Sequence, residues 1–477
     1  MKIADQILTM YPELNDAQKS IISHDNGPLL VIAGPGSGKT FSMVLRVLNL
    51  LLNGKANPQE IIVCTFTEKA ALELRDRISG AASKVKYTGD LAELRATTIN
   101  SLCNRLIIEY RHKTRLGNNF ETLDELTQLL FIFDCFEEII GEPINGKYLN
   151  RWKTKWSSIE GIRDYFNKIT EELVDPASLE TSSDLFVQLL GSSYKRYEDL
   201  LFQQNKIDFS HQQKILFELL SDDEIRESIS SSVKYIIVDE YQDTNYIQEQ
   251  LILRIGAKTN NISVVGDEDQ SIYRFRGATV RNILEFSNHF PNCPQITMTT
   301  NYRSHRTIIG AYDRWMTSAD WSNPNSSIAF RYNKTIEPIP SENYPEYPAV
   351  FSIWGTSESD EANRIADFVT FLKSNNVIQD YNQVAILLHS VRFEHSGKFI
   401  SALEKKGISS FCPRARAYFD NEEVEFIVAC YALILGYYGT GRGNVIGRSL
   451  NELSQYVDSC IVKLAKKYGL LIQIVKF

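Results

Sequence analysis

The sequence is short of the features that settle a chemistry early. Its seven cysteines (64, 103, 135, 293, 412, 430 and 460) form no C-x-x-C pair. That argues against zinc ribbons, iron–sulfur clusters and a disulfide framework, and suits buried thiols in a reducing compartment. The seven histidines show no H-E-x-x-H or other ligand spacing, so structural or surface roles are expected. No apolar run approaches the roughly 18 residues that span a bilayer; the longest, "VACYALILGYY" at 428–438, reads as a buried helix. The opening "MKIADQILTMYPELND" carries acids early and lacks a long apolar stretch, so no secretory signal is expected and the expected location is cytoplasmic. Positive charge is not in excess: 51 Lys and Arg face 59 Asp and Glu, a net charge of -8, so the whole molecule does not attract nucleic acid. A local basic groove is still compatible with that total, because binding follows local potential. Fixed-period repeats and low-complexity tracts are absent too.

What is present is an alternation of short apolar runs and helical patterns. "LLVIA" (29–33), "IIVCT" (61–65), "YIIVD" (235–239), "ISVVG" (262–266), "QITMT" (295–299) and "VAILL" (384–388) are continuous apolar strands of the kind a parallel sheet covered on both faces requires. The fold class is α/β. Residues 111–205 show no strand signal, only stretches such as "LDELTQLLFIFDCFEEII", and read as a helical insertion. A second α/β unit is expected to start near 290 and to run through "DEANRIADFVTFLK" and "QVAILLHS", with the proline-bearing "EPIPSENYPEYP" (337–348) as a loop before it.

The sharpest motif is "VIAGPGSGKT" (31–40): strand, glycine loop, Lys-Thr, then the helical period Met43, Val44, Val47, Leu48, Leu51 and Leu52. This is the order of a phosphate-binding loop, in which N–H groups at a helix start face phosphates and the lysine bridges the terminal ones. The strict G-x-x-x-x-G-K-[ST] form has glycine where Ala33 stands. Gly34, Gly36, Ser37, Gly38, Lys39 and Thr40 are the candidate nucleotide residues, with Thr40 offered to Mg2+. "YIIVDEYQDTN" (235–245) places Asp239 and Glu240 at a strand end, where one carboxylate suits magnesium and the next suits an attacking water.

These stretches belong to a longer ordered set: "LNDAQ" (14–18), "AGPGSGKT" (33–40), "TFTEKAALELRDRI" (65–78), "TINSLC" (98–103), "VDEYQDTN" (238–245), "VVGDEDQSIYRFRGA" (264–278) and "NYRS" (301–304). In order and wording the set resembles the UvrD/Rep/PcrA-like superfamily 1A DNA helicases, densely over 14–304 and more thinly beyond. The resemblance implies a RecA-like P-loop NTPase domain, 1A, at 1–110 and 206–290. It further implies a 1B-like insertion at 111–205, a partial second RecA-like domain, 2A, at 291–437, and the start of a 2B-like insertion at 438–477. It implies ATP as the nucleotide and ATP-driven 3'–5' movement on single-stranded DNA, or on a duplex with a single-stranded tail. In residue terms, Gln18 would read the adenine edge and Tyr302 stack on it. Lys39, Gln270 and Arg303 would meet the terminal phosphates, Asp239 and Thr40 would hold the metal, and Glu240 would be the base.

DNA is the other implied ligand. "QSIYRFRGA" interleaves Tyr273, Arg274, Phe275 and Arg276, the alternation of cation and aromatic that holds single strands. Tyr273, Phe275, Arg276 and Phe66 are the DNA candidates, joined by Asn100, which stands where the family usually has histidine. Two later motifs of the family, a "T-x-H-x-x-K-G-L-E-[FW]"-like one and an arginine motif near "Y-V-A-x-T-R-A", are not found in 1–477. The expectation is therefore an N-terminal portion of a longer helicase, or a DNA-binding ATPase half-motor completed by a partner chain or downstream segment. "GTGRG" (439–443) lacks GK[ST] and a preceding strand, and reads as a turn.

Overall fold

The structure, a computed structural model, describes residues 1–274, 277–324, 328–339, 348–412, 422–434 and 456–464. Ten strands occur among them: β1 (Leu29–Ala33), β2 (Ile61–Thr65), β3 (Arg95–Thr98), β4 (Glu121–Leu123), β5 (Lys206–Asp208), β6 (Tyr235–Val238), β7 (Ile262–Gly266), β8 (Gln295–Met298), β9 (Thr300–Asn301) and β10 (Glu337–Pro338). Six of them form one all-parallel sheet in the order β3-β2-β6-β7-β1-β8.

Side-chain alternation explains why these strands are apolar throughout. Leu29, Val31 and Ala33 of β1, with Ile61 and Val63 of β2, point into one core shared with the helix Lys39–Leu52. Leu30 and Ile32, with Ile62 and Cys64, point into the other, against the helices Ile99–Glu109 and Phe209–Leu219. Both faces are covered by helices, so each strand needs apolar residues at every position. Loops leaving the C-terminal ends of parallel strands share one edge of the sheet, and the glycine loop after β1, "TFTEK" after β2, "DEYQD" after β6 and "GDEDQ" after β7 all leave from that edge.

The insertion carries its own core, built on Phe166, Tyr194, Tyr197 and Ile162 from the helices Lys155–Glu171 and Leu185–Gln203. It also contains a strand that the reading of 111–205 omitted. β4 pairs with β5 at Glu121↔Lys206, Thr122↔Ile207 and Leu123↔Asp208, closing the insertion at its root. Three residues are too few to carry a periodic signal.

Two further departures concern the second half. β8, expected to open the second unit, pairs in register with β1 (Leu30↔Gln295 to Ala33↔Met298), and the first compact unit runs from Met1 to Val350. The sheet gains a parallel neighbour for β1 that way, which a boundary at 290 would remove. In the second unit, Phe351–Phe477, the expected strand 384–388 carries no strand pairing, and Leu387 is 92% exposed. No neighbouring strand among the described residues offers it a hydrogen-bond ladder. This unit is described by the helices Glu358–Ser374 and Phe393–Lys405, packed through Ala362, Ala366, Val369, Ala402 and Leu403, and by Glu422–Ile434 with helical residues 456–464. "GTGRG" lies outside the described residues. No described helix is long and apolar enough to cross a membrane.

Candidate nucleotide and nucleic-acid site

The glycine loop joins β1 to the helix Lys39–Leu52. Ala33 is the last strand residue and fully buried, so a methyl group is accommodated where the strict motif has glycine. Gly36 and Gly38 have φ of 67° and 84°, a region costly for residues with a Cβ. A Cβ on Gly36 would also stand 2.6 Å from Asn301 Oδ1. Ser37 Oγ donates to the Gly34 carbonyl at 2.7 Å, closing the loop on itself.

Lys39 and the two acids after β6 meet across the sheet edge. Lys39 Nζ donates to Glu240 Oε2 at 2.9 Å, and Thr40 Oγ1 lies 3.4 Å from Asp239 Oδ2. Glu240 sits in the left-handed region, φ 50°, two residues beyond the end of β6 at Val238. A non-glycine residue held there stores backbone strain, and such residues cluster at working sites. Burial and the Glu240 charge push the Asp239 carboxyl upward, against Lys39. Burial also opposes ionisation of Glu240, but Lys39 and the Gln242 hydrogen bond outweigh it and hold that carboxyl low. Two adjacent acids are thereby set apart in proton affinity. Burial and Glu240 push Asp243 up to about 7.

The adenine candidates lie beside the loop. Gln18 is buried, Nε2 facing Gly38, while its Oε1 accepts from Asn15 N at 3.1 Å and its own N–H donates to Asn15 Oδ1 at 2.8 Å. Asn15 Nδ2 donates to the Tyr302 hydroxyl at 2.8 Å, and Tyr302 N donates to the Gly36 carbonyl at 2.9 Å. Arg303 is exposed, and its backbone N–H donates to Asn301 Oδ1 at 2.8 Å. Its guanidinium makes no ion pair with a described residue.

Around Gln270 the structure assembles what the sequence does not announce. Gln270 Nε2 donates to Asp267 Oδ2 at 2.6 Å. Asp267 N in turn donates to Gln242 Oε1 at 3.0 Å, and Gln242 Nε2 donates to Glu240 Oε2 at 2.9 Å. Gln242 was not singled out by reading the sequence, although it stands inside "DEYQD"; an amide two residues from an acid has no signature until a partner loop supplies its other bond. Lys334 and Arg331, which bind the acids of "GDEDQ", were missed because some 60 residues separate them from that motif.

The DNA candidates divide. The Phe66 and Tyr273 rings stack, centroids 5.2 Å apart and 29° between planes. Asn100 Oδ1 accepts from Gln213 Nε2 at 2.7 Å. Phe275 and Arg276 lie outside the described residues. A cleft of about 190 Å³ is lined by Phe66, Thr98 and Asn100 and also by Asp239, Glu240 and Gln248. The acids and two DNA candidates thus share one cavity.

Among the described residues, no group of three or more His, Cys, Asp or Glu side chains is arranged to hold a metal ion. Thr40 and Asp239 nevertheless fit magnesium: two hard oxygens lie close together, one on a buried carboxyl that a cation would relieve. Magnesium is commonly held by one or two carboxylates, with phosphates and water completing its octahedron.

Comparison with known proteins agrees with this arrangement. A family profile described as UvrD/REP helicase N-terminal domain matches residues 14–291, and one described as UvrD-like helicase C-terminal domain matches 296–440. The chain is 32% identical over 303 residues to the ATP-dependent DNA helicase PcrA of Staphylococcus aureus, covering 62% of this chain and 39% of that protein. It is 26% identical over 486 residues to the ATP-dependent DNA helicase UvrD1 of Mycobacterium bovis, covering 98% of this chain and 58% of the relative. The chain thus spans less than two thirds of the length of either relative.

Proposed function

We infer, from a chain that belongs to the UvrD/REP helicase family, that it hydrolyses ATP and uses the energy to move on DNA and separate strands. The observation that carries this reading is the shared cleft, which lines Asp239 and Glu240 with Phe66 and Asn100. Chemistry at the acids and occupancy by a nucleic-acid strand would be felt in the same cavity.

In this reading the loop N–H groups and Lys39 take the phosphates, and a phosphate chain competes with Glu240 for the ammonium. Magnesium on Thr40 and Asp239 would neutralise phosphate charge. Glu240, held ionised, orients the attacking water and accepts its proton. Gln270 and Arg303 contact the terminal phosphate, the guanidinium offsetting charge that develops in transfer. Gln18 and Tyr302 take the adenine. Tyr273, Phe275 and Phe66 offer ring faces to bases, with Arg276 and Asn100 for the backbone, a mode that tolerates any base. The 3'–5' direction, the preference for a single strand or a tailed duplex, and a cytoplasmic location rest on the family resemblance alone.

The test is steady-state ATP hydrolysis with and without a single-stranded oligonucleotide, with Glu240→Gln as the blank. DNA-stimulated turnover that the blank loses supports the reading. Nucleotide binding with no turnover refutes it, and favours a DNA-binding ATPase subunit that needs a further polypeptide to supply an arginine.

A further inference from the structure

Three consecutive acids, Asp267, Glu268 and Asp269, follow β7, and all three side chains are essentially excluded from solvent. Consecutive carboxylates normally mark a solvated turn, because burying even one ion without a partner is strongly unfavourable. Here one ammonium answers all of them. Lys334 Nζ, itself wholly buried, lies 2.7 Å from Asp267 Oδ1, 2.8 Å from Glu268 Oε2 and 3.3 Å from Asp269 Oδ2. Arg331 Nε adds a contact to Asp269 Oδ1 at 2.9 Å, the Tyr312 hydroxyl donates to Asp269, and Tyr332 N donates to Glu268 Oε1 at 2.9 Å.

The two oxygens of Asp267 have different duties. One takes Lys334; the other accepts from Gln270 Nε2, and the backbone N–H of the same residue holds Gln242, whose amide reaches Glu240. An unbroken polar path therefore runs from Lys334 through Asp267 to Gln270 on one branch and to Glu240 on the other. Its members are buried or nearly so, except at the Gln270 and Glu240 ends. The cation comes from the portion matched by the C-terminal family profile and the acids from the portion matched by the N-terminal one, yet both lie in one compact unit.

We propose that Lys334, supported by Arg331, is a positioning residue for ATP hydrolysis: its ammonium fixes Asp267, and Asp267 fixes Gln270 and, through Gln242, Glu240. The segment 328–339 is then part of the nucleotide site's scaffold. Without the ammonium, Asp267 sits beside two other buried carboxylates with a single cation left among them. The carboxylates must separate or take up protons, and either response withdraws the acceptor that orients Gln270. Nucleotide affinity, set by the loop and Lys39, is left largely intact. This proposal rests on the hydrolytic reading given above.

The experiment compares Lys334→Met and Lys334→Arg with the unmodified chain. The measurements are DNA-stimulated ATP turnover, affinity for a fluorescent ATP analogue, and amide hydrogen exchange over residues 266–273. The expected result for Lys334→Met is a fall in kcat of about 10–100-fold, the scale of a misplaced catalytic group. KM and analogue affinity change by less than about threefold, on that same reasoning, and exchange quickens at 266–273. Lys334→Arg, which keeps the charge, recovers part of the rate and the protection. Unchanged kcat in Lys334→Met, or lost kcat with unaltered exchange at 266–273, overturns the proposal. Should Lys334→Met fail to fold, Glu268→Gln/Lys334→Met removes one charge of each sign. It is expected to fold with kcat still lowered, and wild-type kcat in it overturns the proposal. If the unmodified chain shows no turnover, the hydrolytic reading has failed, and the exchange data still decide whether Lys334 orders the loop.

Discussion

Replacing Asp239 by asparagine should make the nucleotide-free protein more stable while ending its chemistry. Asp239 is 7% exposed, and burial, with the Glu240 charge next to it, moves its carboxyl from 3.8 to about 6. A folded-state value above the unfolded one means that the folded protein holds the extra proton between those pH values. Stability contributed by the protonated form is complete below about pH 4, declines through the window up to about 6, and is absent at neutral pH. Two units correspond to about 3 kcal/mol at roughly 1.4 kcal/mol each. Coupling to Glu240 shares that cost, so a net gain of roughly 1–2 kcal/mol is the sensible expectation for Asp239→Asn at pH 7. The amide oxygen retains the acceptor used by Glu240 N at 2.9 Å. The assay is thermal unfolding of both proteins without nucleotide from pH 4 to pH 8. At about 2–4 °C per kcal/mol for units of 150–250 residues, and less for a larger one, the midpoint should rise by a few degrees at pH 7. The gap should close towards pH 4. A variant that is less stable at pH 7, or a difference that does not depend on pH, would refute the reasoning.

Other substitutions separate the parts of the site. Gly36→Ala places a Cβ against Asn301 Oδ1 in a left-handed residue; at about 1–2 kcal/mol of strain, affinity for ATP should fall by about tenfold or more in calorimetric titration. Phe66→Ala should weaken single-stranded DNA binding, measured with a fluorescently labelled oligonucleotide, by about 1–3 kcal/mol, the worth of one stacked base, with ATP affinity unchanged in calorimetric titration. Arg46→Met removes a fully buried guanidinium that donates to the Ile21 and His24 carbonyls and to Ser263 Oγ. It should lower stability by roughly 2–4 kcal/mol, because those acceptors are left without a donor; a urea midpoint within error of the unmodified protein would count against the role given to Arg46.

The α/β class, five of the six strands of the main sheet, the mostly helical character of 111–205 and the order of the motifs were legible in the sequence. Each of these is carried by local information: unbroken apolar runs, helical periodicity, a glycine loop before Lys-Thr. What it did not determine follows from physics that is not local. β3 (Arg95–Thr98) was not legible as a strand, since "RATT" is only half buried at a sheet edge. The three-residue β4 depends wholly on β5, and the isolated apolar run at 384–388 lacks a pairing partner among the described residues. β8 joined the first sheet because β1 offered it a ladder. Folding brings together the distant side chains that complete the site: Glu240 against Lys39 across 201 positions, Gln242 against the turn at Asp267, and Lys334 beneath three carboxylates. A buried charge needs its counter-charge within a few ångströms, and only the folded chain sets that distance.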